Sequence, residues 1–147
     1  MLRVVYYTLS SFLDLALPFI AETSRLVELH VLLQIHPGAW KSNMFDLAPM
    51  ALPTGVLPAQ PVLERLPAGV QACFAPAASV QLAVFAGQTS VSPANWAAAY
   101  RAARAISTIR PDVLHLEGTT GRIVSGFPVL RRLPLVLTIH DPLPHSS

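Results

Sequence analysis

Apolar residues fall in short solid runs along this chain, and the runs alternate with segments of helical spacing. Leu2–Tyr7 is β-branched and aromatic and predicts a buried strand at the very start. Thr8–Ser11 predicts a small polar turn. Phe12–Leu26 carries apolar residues at 12, 13, 15, 16, 19 and 20, which is closer to helical than to strand spacing. Ser10 or Ser11 can cap that helix, and Pro18 would kink it or delay its start. Val27–Gln34 has strand character. Between Ile35 and Pro67 six prolines interrupt every periodic segment. A proline-rich stretch of this kind predicts a long structured loop, and such loops in compact domains usually serve function. Gly69–Phe74 and Val80–Phe85 both predict strands, the second being short enough to pass for a buried helical turn.

The last third is sharper. Ser92-Pro93 is an N-cap followed by proline at the first helical position, and the Ala-rich segment Ala94–Ile109 has strong helix propensity. Helical spacing puts Trp96, Ala99, Ala103 and Ile106 on one face and Arg101, Arg104 and Thr108 on another. Trp96 and Tyr100, one turn apart, are expected to pack in the core. Arg110-Pro111 ends the helix. Asp112–Leu116 predicts a strand and Gly118–Gly121 a tight turn. Arg122–Arg132 predicts a helix disturbed by Gly126 and Pro128, and Leu135–Ile139 a final strand. Strands alternating with helices, without hairpin turns, predict a single α/β Rossmann-like domain. Its sheet should be mostly parallel, with helices on both faces and with Leu2–Tyr7, Asp112–Leu116 and Leu135–Ile139 as inner strands.

Composition supports this picture. Hydrophobic residues make up 52% of the 147-residue chain and charged residues 12%, enough apolar surface to offset the entropy of ordering one domain. A net charge of +2, nine of the ten basic residues being Arg, is no nucleic-acid footprint. The lone Cys73 excludes an intrachain disulfide and fits a reducing compartment. No uninterrupted apolar stretch is long enough to span a bilayer. Asp14 and Pro18 break the apolar amino-terminal stretch, which lacks a signal-cleavage pattern.

In an open parallel sheet, ligands bind beyond the carboxyl ends of the strands. The polar residues gather there: Thr8, Ser10 and Ser11 after the first strand; Gln34 and His36 after the second; Glu117, Gly118 and Thr119 after the Asp112 strand; His140 and Asp141 after the last. His140-Asp141 is the sharpest feature. An imidazole at a strand end can exchange hydrogen bonds with a phosphate or a sugar hydroxyl. The competing reading is a plain Asp141-Pro142 turn. His115 and His30 lie inside strands and predict hydrogen-bonded structural histidines. Gly118–Gly121 matches neither phosphate-binding glycine motif, so a helix-initiating turn is its simpler role. One Cys and five scattered His give no metal-ligand spacing, and no cofactor is expected.

The segment Arg110-Pro111-Asp112-Val113-Leu114-His115-Leu116, followed by Pro134-Leu135-Val136-Leu137-Thr138-Ile139-His140-Asp141-Pro142-Leu143-Pro144-His145, resembles the amino-terminal domain of the family four glycosyltransferases. These are GT-B enzymes in which two Rossmann-like domains face a cleft. The resemblance is architectural over Leu2–Gln34 and absent over Pro37–Gln88. It implies that residues 1–147 form the acceptor-side domain of a retaining enzyme that transfers a sugar from a nucleotide-sugar donor to a sugar or lipid-linked acceptor. His140 would be catalytic and would face the transferred sugar and its phosphate. Thr8, Ser10, Ser11, His115, Glu117, Gly118, Thr119 and Asp141 would line the cleft. Family members usually carry a Gly-Gly pair where this chain has Thr8-Leu9-Ser10-Ser11. The donor site belongs to the family's carboxyl-terminal domain, so this chain is expected to be a fragment or one half of a split enzyme, inactive alone. The expected location is cytoplasmic, with Arg101 and Arg104 available for peripheral contact at the inner membrane face, although a solvated helix face explains them as well. A non-catalytic binding module, and a fragment of a nucleotide-sugar epimerase, share the same fold and stand as alternatives.

Overall fold

The computed structural model describes residues 1–41, 44–87, 92–118 and 121–140. Six strands form one sheet: β1 (Arg3–Leu9), β2 (Glu28–Ile35), β3 (Gly55–Pro58), β4 (Ser79–Val84), β5 (Val113–Glu117) and β6 (Leu135–Thr138). Their spatial order is β3-β4-β2-β1-β5-β6. Every neighbouring pair is parallel except β3 and β4. The sheet is therefore the mostly parallel, doubly wound one that solid apolar runs predict. β1 lies between β2 and β5, where the winding reverses direction.

Alternation along β1 sends Val4 and Tyr6 to one core and Val5 and Tyr7 to the other. The first core is covered by α1 (Leu13–Thr23), α2 (Gln60–Leu63) and α3 (Ala68–Phe74). The second lies under α4 (Pro93–Ile109), α5 (Gly121–Val124) and α6 (Phe127–Leu130). Ser92 caps α4, accepting the amide hydrogen of Asn95 at 3.2 Å.

Several expectations need correction. β1 extends through Thr8 and Leu9, so the polar turn begins only at Ser10, as a single 3₁₀ turn over Ser10–Phe12 ahead of α1. Gly69–Phe74 is the helix α3: Val70 and Phe74, four apart, both reach the core, and helical spacing there mimics a short apolar run. The proline-rich middle contains β3 and α2. Trp96 and Tyr100 are about half exposed, not core residues. The buried face of α4 is built from Asn95, Ala98, Ala99, Ala102, Ala103 and Ile106, because the helix lies too close to its neighbours for larger side chains. A Cβ on Gly126 would stand 2.8 Å from Ala103 Cβ and 2.9 Å from the Ala99 carbonyl oxygen, which is why the chain breaks between α5 and α6 at a glycine. Finally, β6 is an edge strand and exposed, with nothing beyond it among the described residues.

Arg110 ends α4 in the left-handed region at φ 54°, where a side chain costs about 1–2 kcal/mol. Arg110→Gly is expected to raise the unfolding free energy by up to about 1 kcal/mol after the added freedom of the unfolded chain is subtracted. Urea unfolding of the two chains measures this, and a less stable variant would contradict it.

Candidate functional site

The carboxyl ends of β1 and β5, at the switch in winding, carry the densest polar cluster. Glu117 is the last residue of β5 and is only 4% exposed. Its Oε2 accepts hydrogen bonds from the Tyr6 hydroxyl, at 2.5 Å, and from the Thr8 hydroxyl. Its Oε1 lies 3.0 Å from His140 Nε2. The strand period explains the convergence: Tyr6 and Thr8 are two apart on β1 and point to the same side of the sheet as His115 and Glu117 on β5. Burial, then the hydrogen bond and the charge of Glu117, push the Tyr6 hydroxyl well above its ordinary pKa, so Tyr6 stays a donor. Three donors thus satisfy a carboxylate that would be costly to bury alone.

His140 follows β6, and its side chain remains 27% exposed. Its ring packs on Phe12 with centroids 4.6 Å apart. Contact with Glu117 puts a hydrogen on Nε2, and among the described residues no other side chain hydrogen-bonds the ring. Gly118 makes the packing feasible. It has φ +77°, and a Cβ there would press to 3.1 Å from the Phe12 ring. Its amide donates to the Thr138 carbonyl at 2.8 Å, which ties the end of β5 to β6.

His115 sits deeper. It hydrogen-bonds Thr138 Oγ1 at 2.7 Å and packs against Tyr6 and Phe19, with centroids 5.0 and 5.1 Å away. Burial lowers its pKa below the ordinary 6.5, and the nearby Glu117 charge offsets part of the shift. The unfolded chain therefore takes up a proton where the folded chain resists it. Stability present above pH 6.5 is lost as pH falls through that value toward the depressed folded pKa. His36, lowered by burial and by the Arg122 charge, acts in the same direction. The urea midpoint is expected to drop between about pH 7.5 and about pH 5, and to drop less in His115→Gln. An unchanged drop in that variant would clear His115 of the effect.

Of the residues singled out from the sequence, Thr8, Glu117 and His140 meet directly. Gly118 shapes their surroundings, and His115 lies behind them against Tyr6. Thr8 is fully buried and serves Glu117; Ser10 is buried and Ser11 exposed. Thr119 and Asp141 lie outside the described residues. The missed residues are Tyr6, Phe12 and Thr138. Tyr6 and Thr138 share the parity of Thr8 and Glu117 on their strands, a signal that was available once the strands were paired. His30 is structural as expected, bonding Ser79 at 2.7 Å and Glu28 at 3.2 Å.

A second polar group occupies the opposite face of the same edge. The Tyr7 hydroxyl donates to buried Gln34 Oε1 at 2.6 Å, and Arg122 Nε donates to the Gly87 carbonyl at 3.2 Å. Asn95 holds that loop by accepting from the Ala86 amide at 2.8 Å. Among the described residues no group of three or more His, Cys, Asp or Glu side chains converges as metal ligands, and no helix is long and apolar enough to cross a membrane.

No family model matches this chain, and no curated protein does. Among solved structures it is similar to the carboxyl-terminal domain (residues 78–226) of the PF1911 hydrogenase of Pyrococcus furiosus. The TM-score is 0.53 at 9% identity, over 94% of this chain and 92% of that one. The likeness is one of fold. It agrees with the α/β architecture and carries nothing about chemistry.

Proposed function

We propose that residues 1–147 are the acceptor-side, Rossmann-like half of a GT-B glycosyltransferase, with His140 at the reaction centre. The observation that carries this reading is the His140–Glu117 pair. A partly exposed imidazole stands at the carboxyl edge of a doubly wound sheet, beside the winding switch, and hydrogen-bonds a buried carboxylate. Ligands of open α/β sheets bind in that crevice. His140 Nδ1 can accept from a sugar hydroxyl. As an imidazolium N–H, with Glu117 as counter-charge, it can donate to the leaving phosphate as negative charge develops. Glu117, Tyr6 and Thr8 are positioning residues, since they act through the histidine. The nucleotide sugar would be held mainly by a donor domain outside this chain. Arg101 and Arg104 are exposed on α4 and would serve a lipid-linked acceptor at a membrane surface.

The reading frame downstream of residue 147 and its product provide the test. A second α/β domain there, with transfer from a nucleotide sugar that His140→Ala abolishes, is the expected result. A product with no second domain and no transfer in any pairing favours a binding module and overturns the proposal. Flotation of that product with anionic vesicles, weakened by Arg101→Gln with Arg104→Gln, tests the membrane component.

A further inference from the structure

The polar group on the α4 face of the carboxyl edge, opposite Glu117 and His140, is built by strand alternation. Tyr7 of β1 and Leu32 of β2 turn toward α4, so Gln34 does too. His36, the residue after β2, keeps an extended backbone at φ −145° and ψ 162°, and the same alternation carries its ring to that face. The Ile35 carbonyl accepts from the Phe85 amide at 2.9 Å, which lays the segment Phe85–Gly87 alongside His36. The Gly87 carbonyl accepts from Arg122 Nε at 3.2 Å and from Asn95 Nδ2 at 3.3 Å. Arg122 follows β5 and His36 follows β2. Two cationic side chains therefore come from the strands on either side of β1 into the crevice at the winding switch, where ligands of open α/β sheets bind.

Both side chains are partly exposed, yet His36 Nδ1 is buried and has no hydrogen-bond partner among the described residues. We propose that Arg122 and His36 form an oxyanion site that takes a phosphate group, free or borne on a ligand seated in the crevice. The Gly87 carbonyl fixes the guanidinium plane through Nε, and a fixed guanidinium plane is what phosphate oxygens match in pairs. Burial, and then the Arg122 charge, hold the His36 imidazole below its ordinary pKa of 6.5. An arriving dianion offsets the Arg122 charge, so the imidazole takes up a proton from solvent and supplies the second positive charge. Anion and proton binding are thereby linked, each strengthening the other. Among the described residues Arg122 of α5 is the charged group that acts on His36, and the Tyr7 hydroxyl of β1 acts on Arg122 in turn. At this place α4 offers the uncharged Asn95, while its Arg101 lies over Gly55 of β3. Behind the two cations the Tyr7 hydroxyl donates to buried Gln34 at 2.6 Å, a neutral pair that holds the floor of the site. The site lies on the other face of the sheet from His140, and this inference does not depend on the glycosyltransferase reading.

Sulfate keeps its double negative charge near neutral pH, so its binding reports protonation of the protein alone. The 147-residue chain is titrated with sulfate and with inorganic phosphate at constant ionic strength. The His36 ring signals in NMR, identified by their loss in His36→Gln, are the readout. Both anions are expected to bind with Kd of about 1 mM or tighter. Sulfate affinity should rise about three- to tenfold as pH falls from about 8 to about 6, and the His36 titration should move to higher pH in sulfate. Arg122→Gln should weaken sulfate at least about tenfold, with Arg122→Lys between it and the wild type. His36→Gln should still bind weakly but lose the pH dependence, and His140→Ala should alter neither. A phosphate monoester that binds more tightly than inorganic phosphate assigns the site to a larger ligand; equal binding assigns it to the free ion. The wild-type His36 titration relies on no variant folding, and an identical curve with and without sulfate overturns the proposal. So does binding that Arg122→Gln leaves intact, a pH dependence that survives in His36→Gln, or one that His140→Ala abolishes.

Discussion

Glu117→Leu is expected to lower the unfolding free energy by about 2–5 kcal/mol, the largest loss from any single polar change in this chain. The carboxylate collects the Tyr6 and Thr8 hydroxyls and the His140 ring. Leucine fills much of the space but accepts nothing. Two buried hydroxyls then lose their acceptor, at about 1–3 kcal/mol each. The same reasoning predicts a rescue: Tyr6→Phe with Thr8→Val in the Glu117→Leu background removes the stranded donors and should recover part of the loss. Urea unfolding of the series decides it. Additive losses across the combined variant would show that the hydroxyls and the carboxylate are not coupled.

His140→Ala is expected to reduce turnover of an enzyme containing this domain by on the order of 100-fold or more, with stability almost unchanged. The ring is partly solvent-exposed and packs on one side of Phe12, so its removal leaves no closed cavity. Glu117→Gln provides the complementary measurement. It keeps an acceptor near Nε2 but removes the counter-charge, so the pH profile of turnover should move while substrate KM changes little. A His140→Ala enzyme with wild-type turnover would end the site assignment, whatever the effect on Glu117.

The fold was legible because its strands are written as solid apolar runs. β1, β2, β4 and β5 are buried on both faces, and their cores need no alternation. The middle third was harder for the same reason: in Gly69–Phe74 the core demands only Val70 and Phe74, and a short apolar run of either type meets that demand. On α4, helical spacing identified the buried stripe at Ala99, Ala103 and Ile106 but assigned Trp96 to it, because periodicity does not know how close the neighbouring chain comes. Gly126 sets that distance. At the site, the sequence pointed to the strand ends and to His140. It did not identify the partner: among the described residues the carboxylate that meets the imidazole is Glu117, 23 residues earlier. That pairing depends on β5 and β6 being neighbours in register, which is a tertiary fact.

Of the six strands β1 leaves the ribosome before the others, yet it ends in the middle of the sheet. Its partner β2 follows within about thirty residues, but β5 starts only at Val113, after the whole of α4. A nascent chain that has reached Val84 can assemble β3, β4, β2 and β1, and it then carries β1 as a bare, largely apolar edge. Tyr6 and Thr8 face no acceptor at that stage. The polar cluster is consequently the last element to close, and its closure coincides with the protection of the strand most prone to pair with the wrong chain. Synthesis halted before Glu117 would release a species with an open sheet, and that species is the natural client for a chaperone.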